Sequence, residues 1–103
     1  MESFAPMIYS MTTKRAQLRL KAADLGATYL NYSDRKNKKF YVVYDNKTIH
    51  FGDTRYEDFT QHQDTIRRDR YLARASAIRN SKGRLTANDP TSPNYWSIRL
   101  LWS

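Results

Sequence analysis

Cysteine is absent from this chain of 103 residues, which excludes a disulfide framework and any zinc site built on thiolates. Glycine occurs three times, too sparsely for most phosphate-cradling loops. No Walker-type lysine motif, nucleophile elbow or zinc-ligand set is present. No apolar run approaches the roughly 18 residues that a membrane-spanning helix requires. Met1–Met11 lacks the charged-then-apolar order of a signal peptide, so the expectation is a soluble intracellular product. Internal repeats are lacking too.

Aromatic residues are plentiful: eight Tyr, four Phe and two Trp. A domain of this size buries roughly two thirds of its unfolded surface, so a compact, aromatic-dependent core is expected. The formal net charge is +8, and it is unevenly spread. Residues 1–26 carry +2, 33–48 carry +3, 53–64 carry −3, 66–84 carry +6, and 85–103 are neutral. Such patterning favours polyanionic or acidic partners, with a solvated surface that keeps the protein soluble as the alternative.

The periodicity predicts a helix over Thr12–Asp24, with Ala16, Leu20 and Ala23 as its apolar stripe and Gly26 as its terminator. Before it, Phe4, Met7, Ile8, Tyr9 and Met11 follow neither helix nor strand spacing and read as an apolar arm. A strand is expected over Thr28–Tyr32, then a lysine-rich loop over Ser33–Lys39. Phe40–Tyr44 and Thr48–Phe51 read as a hairpin turning at Asp45-Asn46-Lys47, since Asp and Asn tolerate the positive φ of such turns. A second helix is expected over Thr65–Asn80, capped by Asp64, with Tyr71, Ala75 and Ile78 in one arc edged by arginines. Asn80–Pro93 reads as a loop. Ser92 and Pro93 then open a C-terminal helix carrying Trp96, Leu100 and Trp102.

The resulting fold class is α+β: a small antiparallel sheet, with its hairpin at about residues 40–51, packed by the Arg-rich helix and the C-terminal helix. Residues 1–27 form an N-terminal arm and helix, and residues 28–103 a single compact domain.

Candidate chemistry is sparse. His62 and Asp64, with His50 and Asp53, could build a metal site or a general base. Against this, Asp64 already suits a helix cap and His50 alternates with apolar strand residues. No enzymatic activity, catalytic residue, metal, cofactor or small-molecule substrate is expected. The acidic residues Asp53, Glu57, Asp58 and Asp64 are expected to pair with arginines of the following helix, and Tyr71 to pack on the hairpin. Three groups of cations remain as partner-binding candidates: Lys14, Arg15, Arg19 and Lys21; Arg35, Lys36, Lys38 and Lys39; and Arg67, Arg70 and Arg74. Phe4, Met7, Ile8, Tyr9 and Trp102 are candidates for an apolar interface.

From residue 40 onward the motifs run Phe-Tyr-Val-Val-Tyr, Ile49-His50-Phe51-Gly52-Asp53, Tyr56-x-Asp58-Phe59-Thr60-x-His62-x-Asp64 and Arg67-Arg68-x-x-Tyr71-x-x-Arg74. Leu85-Thr86-x-x-Asp89-Pro90-x-Ser92 and Tyr95-Trp96-Ser97-x-x-Leu100-Leu101-Trp102 complete the series. The series resembles a family of small basic proteins encoded by nucleocytoplasmic large DNA viruses, including iridoviruses, phycodnaviruses and giant viruses, with similar versions in some large phages. That family has no agreed activity. The resemblance implies a setting: a minor capsid or virion-associated protein, found in the virion and in host cytoplasm during assembly. It would bridge other virion or capsid proteins or meet an anionic membrane surface. The alternative is a nucleic-acid-binding protein without sequence preference.

Overall fold

The computed structural model describes residues 13–103. The apolar arm, with Phe4, Met7, Ile8 and Tyr9, lies outside the described residues. Helix α1 (Lys14–Asp24) begins at Thr13, whose side chain accepts the Ala16 amide hydrogen. It ends where Gly26, at φ 98°, lets the Gly26 and Ala27 amides turn back to the carbonyls of Ala23 and Ala22. Strands β1 (Tyr29–Tyr32), β2 (Phe40–Tyr44) and β3 (Lys47–Phe51) form an antiparallel sheet in that order. Leu30, Val42 and Ile49 lie opposite one another across it.

The hairpin turn is shorter than the sequence suggested. Lys47 already pairs with Tyr44, and Asp45 and Asn46 alone turn the chain, at φ 50° and 61°. Two consecutive positive φ values match the right-handed strand twist, which a three-residue turn would not require.

A short helix that the sequence reading missed, α2 (Phe59–His62), follows the sheet. Asp58 and Gln61 form its capping box, each side chain accepting an amide hydrogen from the other end of the turn. Helix α3 (Thr65–Ala75) begins as expected at Asp64, whose carboxylate accepts from the Ile66 and Arg67 amides. It stops five residues short of the expected Asn80. Beyond Ser76 the chain folds back on itself: Arg79 bridges Leu85, and the Asn80 side chain accepts from the amides of Lys82 and Arg84. This local turn takes up the backbone groups that a longer helix would need. A 3-10 turn (Thr86–Asn88) leads to α4 (Pro93–Leu101), capped by Ser92 as expected.

The core lies between one face of the sheet and helices α1 and α4. It contains Leu18, Ala22, Leu30, Phe40, Val42, Ile49, Phe51, Trp96, Leu100 and Leu101. Helix α1 therefore shares its core with residues 28–103. Its buried stripe is Leu18 and Ala22, and Leu20, expected inside, is 68 % exposed. The rotation is set by polar contacts that the apolar pattern does not reveal. Arg15 Nη1 donates to Asn31 Oδ1 at 3.0 Å, and Arg19 Nε donates to the Leu30 carbonyl at 2.8 Å. Trp96 is fully buried and its indole N–H donates to the Pro90 carbonyl at 2.7 Å, so burial leaves no unpaired donor.

Two features hold the segment after β3 in place. Lys39 Nζ, at the start of β2, lies 2.6 Å from Asp58 Oδ2 and donates to Gln61 Oε1 at 2.7 Å. Asp58 is 2 % exposed and also accepts from the amide and hydroxyl of Thr60. Gly52, at φ 80°, has no room for a side chain, since a Cβ there would sit 2.9 Å from Leu101 Cδ1 and 3.0 Å from Lys39 Cβ. Replacing Asp58 by Ala is expected to strand the Lys39 ammonium and cost about 3–5 kcal/mol, read as a lower urea midpoint. Gly52→Ala combines a strained φ with overpacking and is expected to cost on the order of 2 kcal/mol in the same experiment.

Candidate functional site

Between the 52–58 segment, α3 and α4 lies a cleft of about 620 Å³. Helix α3 supplies one wall. Residues 67, 70 and 74 fall within an arc of roughly 60° at the α-helical repeat of 100° per residue, so three arginines face the same side. All three line the cleft, with Lys38 and Lys39 opposite. Members of two of the three cation groups read from the sequence thus meet in one place.

The remaining candidates are elsewhere. Lys14 approaches Asp58 at 4.0 Å, and Arg15 and Arg19 are bonded to β1 and lie over the rings of Tyr32 and Tyr29. Lys21, Arg35 and Lys36 are exposed and do not line the cleft.

The electrostatics of the cleft differ from the expected pairing of the acidic segment with the helix arginines. Asp58 is taken by Lys39, Asp53 by Arg55 at 2.8 Å, and Asp64 by the amides at the start of α3. The hydrogen bonds from Arg55 hold the Asp53 carboxyl down at about 2. Arg55 lies two residues from Asp53 and Lys39 meets Asp58 across 19 residues of chain, so the acidic residues are taken before the α3 arginines. Among the described residues, Arg67, Arg70 and Arg74 make no ion pair. Lys38 and the three arginines therefore face Glu57 as the carboxylate left without a cation on the cleft wall. Five cations against three carboxylates, of which Asp53 and Asp58 are already paired, leave a concave wall with an excess of positive charge that attracts anions.

The cleft is also aromatic. Tyr71 was expected to pack on the hairpin; instead its ring stacks on Trp102, with centroids 4.0 Å apart and planes 10° from parallel. His62 packs on Trp102 at 5.3 Å, and its Nδ1 accepts the Asp64 amide hydrogen at 2.9 Å, fixing the ring. Trp102 is thus half-buried within a stack of rings. Tyr56 stands 65 % exposed at the cleft margin. The Asp58-x-x-Gln61 spacing could have announced α2 and, with it, where Asp58 sits. Nothing in the sequence announced the Tyr71–Trp102 stack, which joins residues 31 positions apart.

His50 and His62 do not converge. His50 lies on β3 with Nδ1 2.7 Å from Ser33 Oγ, and among the described residues no group of three His, Asp or Glu side chains is placed to hold a metal.

Residues 29–75 match the model of a family of unknown function (DUF5754). The matched stretch covers the sheet, α2 and α3, and so includes the cationic wall; α1 and the Trp102 end of the cleft lie beyond it. No curated protein and no solved structure matches the chain.

Burial raises the Tyr71 phenol above its usual value. Asp58 adds to the rise, while a hydrogen bond with Ser97 and the charge of Arg74 oppose it. The neutral phenol is favoured in the folded state, so this contribution to stability is complete below the unfolded value near 10 and fades as pH rises through the folded one. An alkaline absorbance titration should show a tyrosine ionising above the exposed ones, and Tyr71→Phe should remove that late phase.

Proposed function

We propose that this protein is a non-enzymatic binding module for single-stranded nucleic acid, recognised without sequence preference through the cleft. The observation that carries the reading is the set of Arg67, Arg70 and Arg74 on one face of α3. They line a concave cleft with Lys38, without carboxylate partners among the described residues. Guanidinium groups in a row match successive backbone phosphates. A concave cleft of about 620 Å³ suits an extended strand whose bases can meet Tyr56.

The alternative of a minor virion protein bridging capsid components draws its support from the apolar arm and from Trp102. The arm lies outside the described residues, and Trp102 is engaged by Tyr71 and His62. Within the viral setting suggested by the motif series, the cleft favours a genome-associated role over a capsid one.

Fluorescence anisotropy with labelled single strands provides the test. Binding at about 50 mM salt should weaken linearly on a log–log plot as salt rises. Arg67→Ala, Arg70→Ala and Arg74→Ala together should weaken it by about 10- to 100-fold and lower the salt slope by about 2, near 0.7 for each phosphate that is no longer neutralised. Absence of salt-sensitive binding by the unmodified protein would overturn the proposal.

A further inference from the structure

The face of the sheet turned away from the core carries features that the cleft does not use. Side chains alternate along strands, so Leu30, Val42, Ile49 and Phe51 point inward and Tyr29, Asn31, Tyr41, Val43, Thr48 and His50 occupy the opposite face. Helices α1 and α4 contribute Leu18, Ala22, Trp96 and Leu100 to the core, so both lie behind this face. Across it runs a diagonal of rings, with centroids 6.1 Å apart from Tyr29 to Tyr41 and 5.5 Å from Tyr41 to His50. Tyr29 is 45 % exposed.

Cations border both ends of this row. At one end the Arg19 guanidinium lies 5.2 Å from the centre of the Tyr29 ring, and Arg15 is bonded to Asn31. At the other, Arg35 and Lys38 lie close enough to His50 to lower its pKa; burial is the larger cause and Asp34 opposes. Lys38 also lines the cleft, so the basic 33–39 loop connects the two surfaces. A protein partner docking on bare rings would call for an apolar rim, whereas this rim is cationic and, of the intervening residues, Asn31 and Thr48 are polar and Val43 alone is apolar.

We propose that Tyr29, Tyr41 and His50 form a base-stacking platform for the same single strand whose phosphates the cleft holds, with the strand passing from one surface to the other around Lys38. The inference rests on the nucleic-acid reading of the cleft. Every nucleobase has a flat π face, so stacking on such a row needs no sequence preference. Arg35 and Lys38 at the His50 end make no ion pair among the described residues and neutralise the adjoining phosphates.

The experiment compares oligothymidylates of about 4 and about 15 nucleotides, since the shorter one fills a single site and the longer one reaches both. The unmodified protein should hold the longer strand more tightly. Tyr29→Leu with Tyr41→Leu keeps apolar bulk but removes the π faces; it should weaken the longer strand by about tenfold or more and leave the shorter one unchanged. Long-strand affinity that stays unchanged in this variant, while the arginine variant loses binding, would overturn the platform and leave the cleft reading intact. Absence of binding to both lengths by the unmodified protein would overturn both. Should the double Leu variant fail to fold by circular dichroism, the His50 imidazole proton resonances of the unmodified protein give the answer. They should shift on adding the longer strand, and unmoved resonances would overturn the platform.

Discussion

The contact between Lys39 and Asp58 fixes more of this protein than any other pair. It joins the residue before β2 to the cap of α2, two points 19 residues apart in the chain. Removing two ions from water is costly, and a buried pair of this kind contributes little stability beyond an apolar pair of the same shape. Its effect is positional. Asp58 has its oxygens occupied by Lys39 and by the amide and hydroxyl of Thr60, so the 52–58 segment has one satisfied arrangement. Gly52 lets the chain leave β3 against Leu101 and Lys39 at a point where no other side chain fits. From these two constraints follow the start of α2, the αL residue Gln63 that ends it, and the direction of α3.

That arrangement divides the positive charge into two populations. Arg15, Arg19, Lys39, Arg55 and Arg99 are engaged with backbone carbonyls, carboxylates or ring faces close by. Arg15, Arg19, Lys39 and Arg99 join elements in this way, while Arg55 pairs with Asp53 within its own segment. Arg67, Arg70 and Arg74 have no such engagement among the described residues and project into the cleft. A net charge of +8 says nothing about this division. It arises because Asp58 is taken by Lys39 across the fold, Asp53 by Arg55 and Asp64 by the helix amides, which leaves the arginines of α3 without these carboxylates.

The Tyr71–Trp102 stack ties the cationic wall to the C-terminal helix. With His62 beneath Trp102 and Arg68 over the ring of Phe59, aromatic contacts run from α2 through the end of α4 to the middle of α3. Rigid, flat side chains held in this way give α3 a fixed orientation although it sits at the periphery of the core. The cleft is accordingly a built surface and not a gap between loosely attached pieces.

The elements whose cause is local were legible in the sequence. The β2–β3 hairpin followed from Phe-Tyr-Val-Val-Tyr meeting Asp-Asn, the start of α3 from Asp64, and the start of α4 from Ser92 and Pro93, because strand propensity, turn φ and capping act within a few residues. The rotation of α1 was not legible, since Ala16, Leu20 and Ala23 form as regular a stripe as Leu18 and Ala22. Only the bonds from Arg15 and Arg19 to β1 choose between them. The end of α3 lies earlier than expected because the Asn80 side chain, accepting from the Lys82 and Arg84 amides, competes with helix propensity. The cation types of the cleft could be read from composition. Their convergence could not, because an ion pair 19 residues apart and a ring stack 31 residues apart have no periodic trace in the chain. Composition and short-range pattern were enough to make this protein basic, aromatic and α+β. Which charges are engaged inside the fold, and which line the cleft without an ion pair, was settled by packing between distant elements, since only there do Lys39 and Asp58, or Tyr71 and Trp102, come within reach of each other.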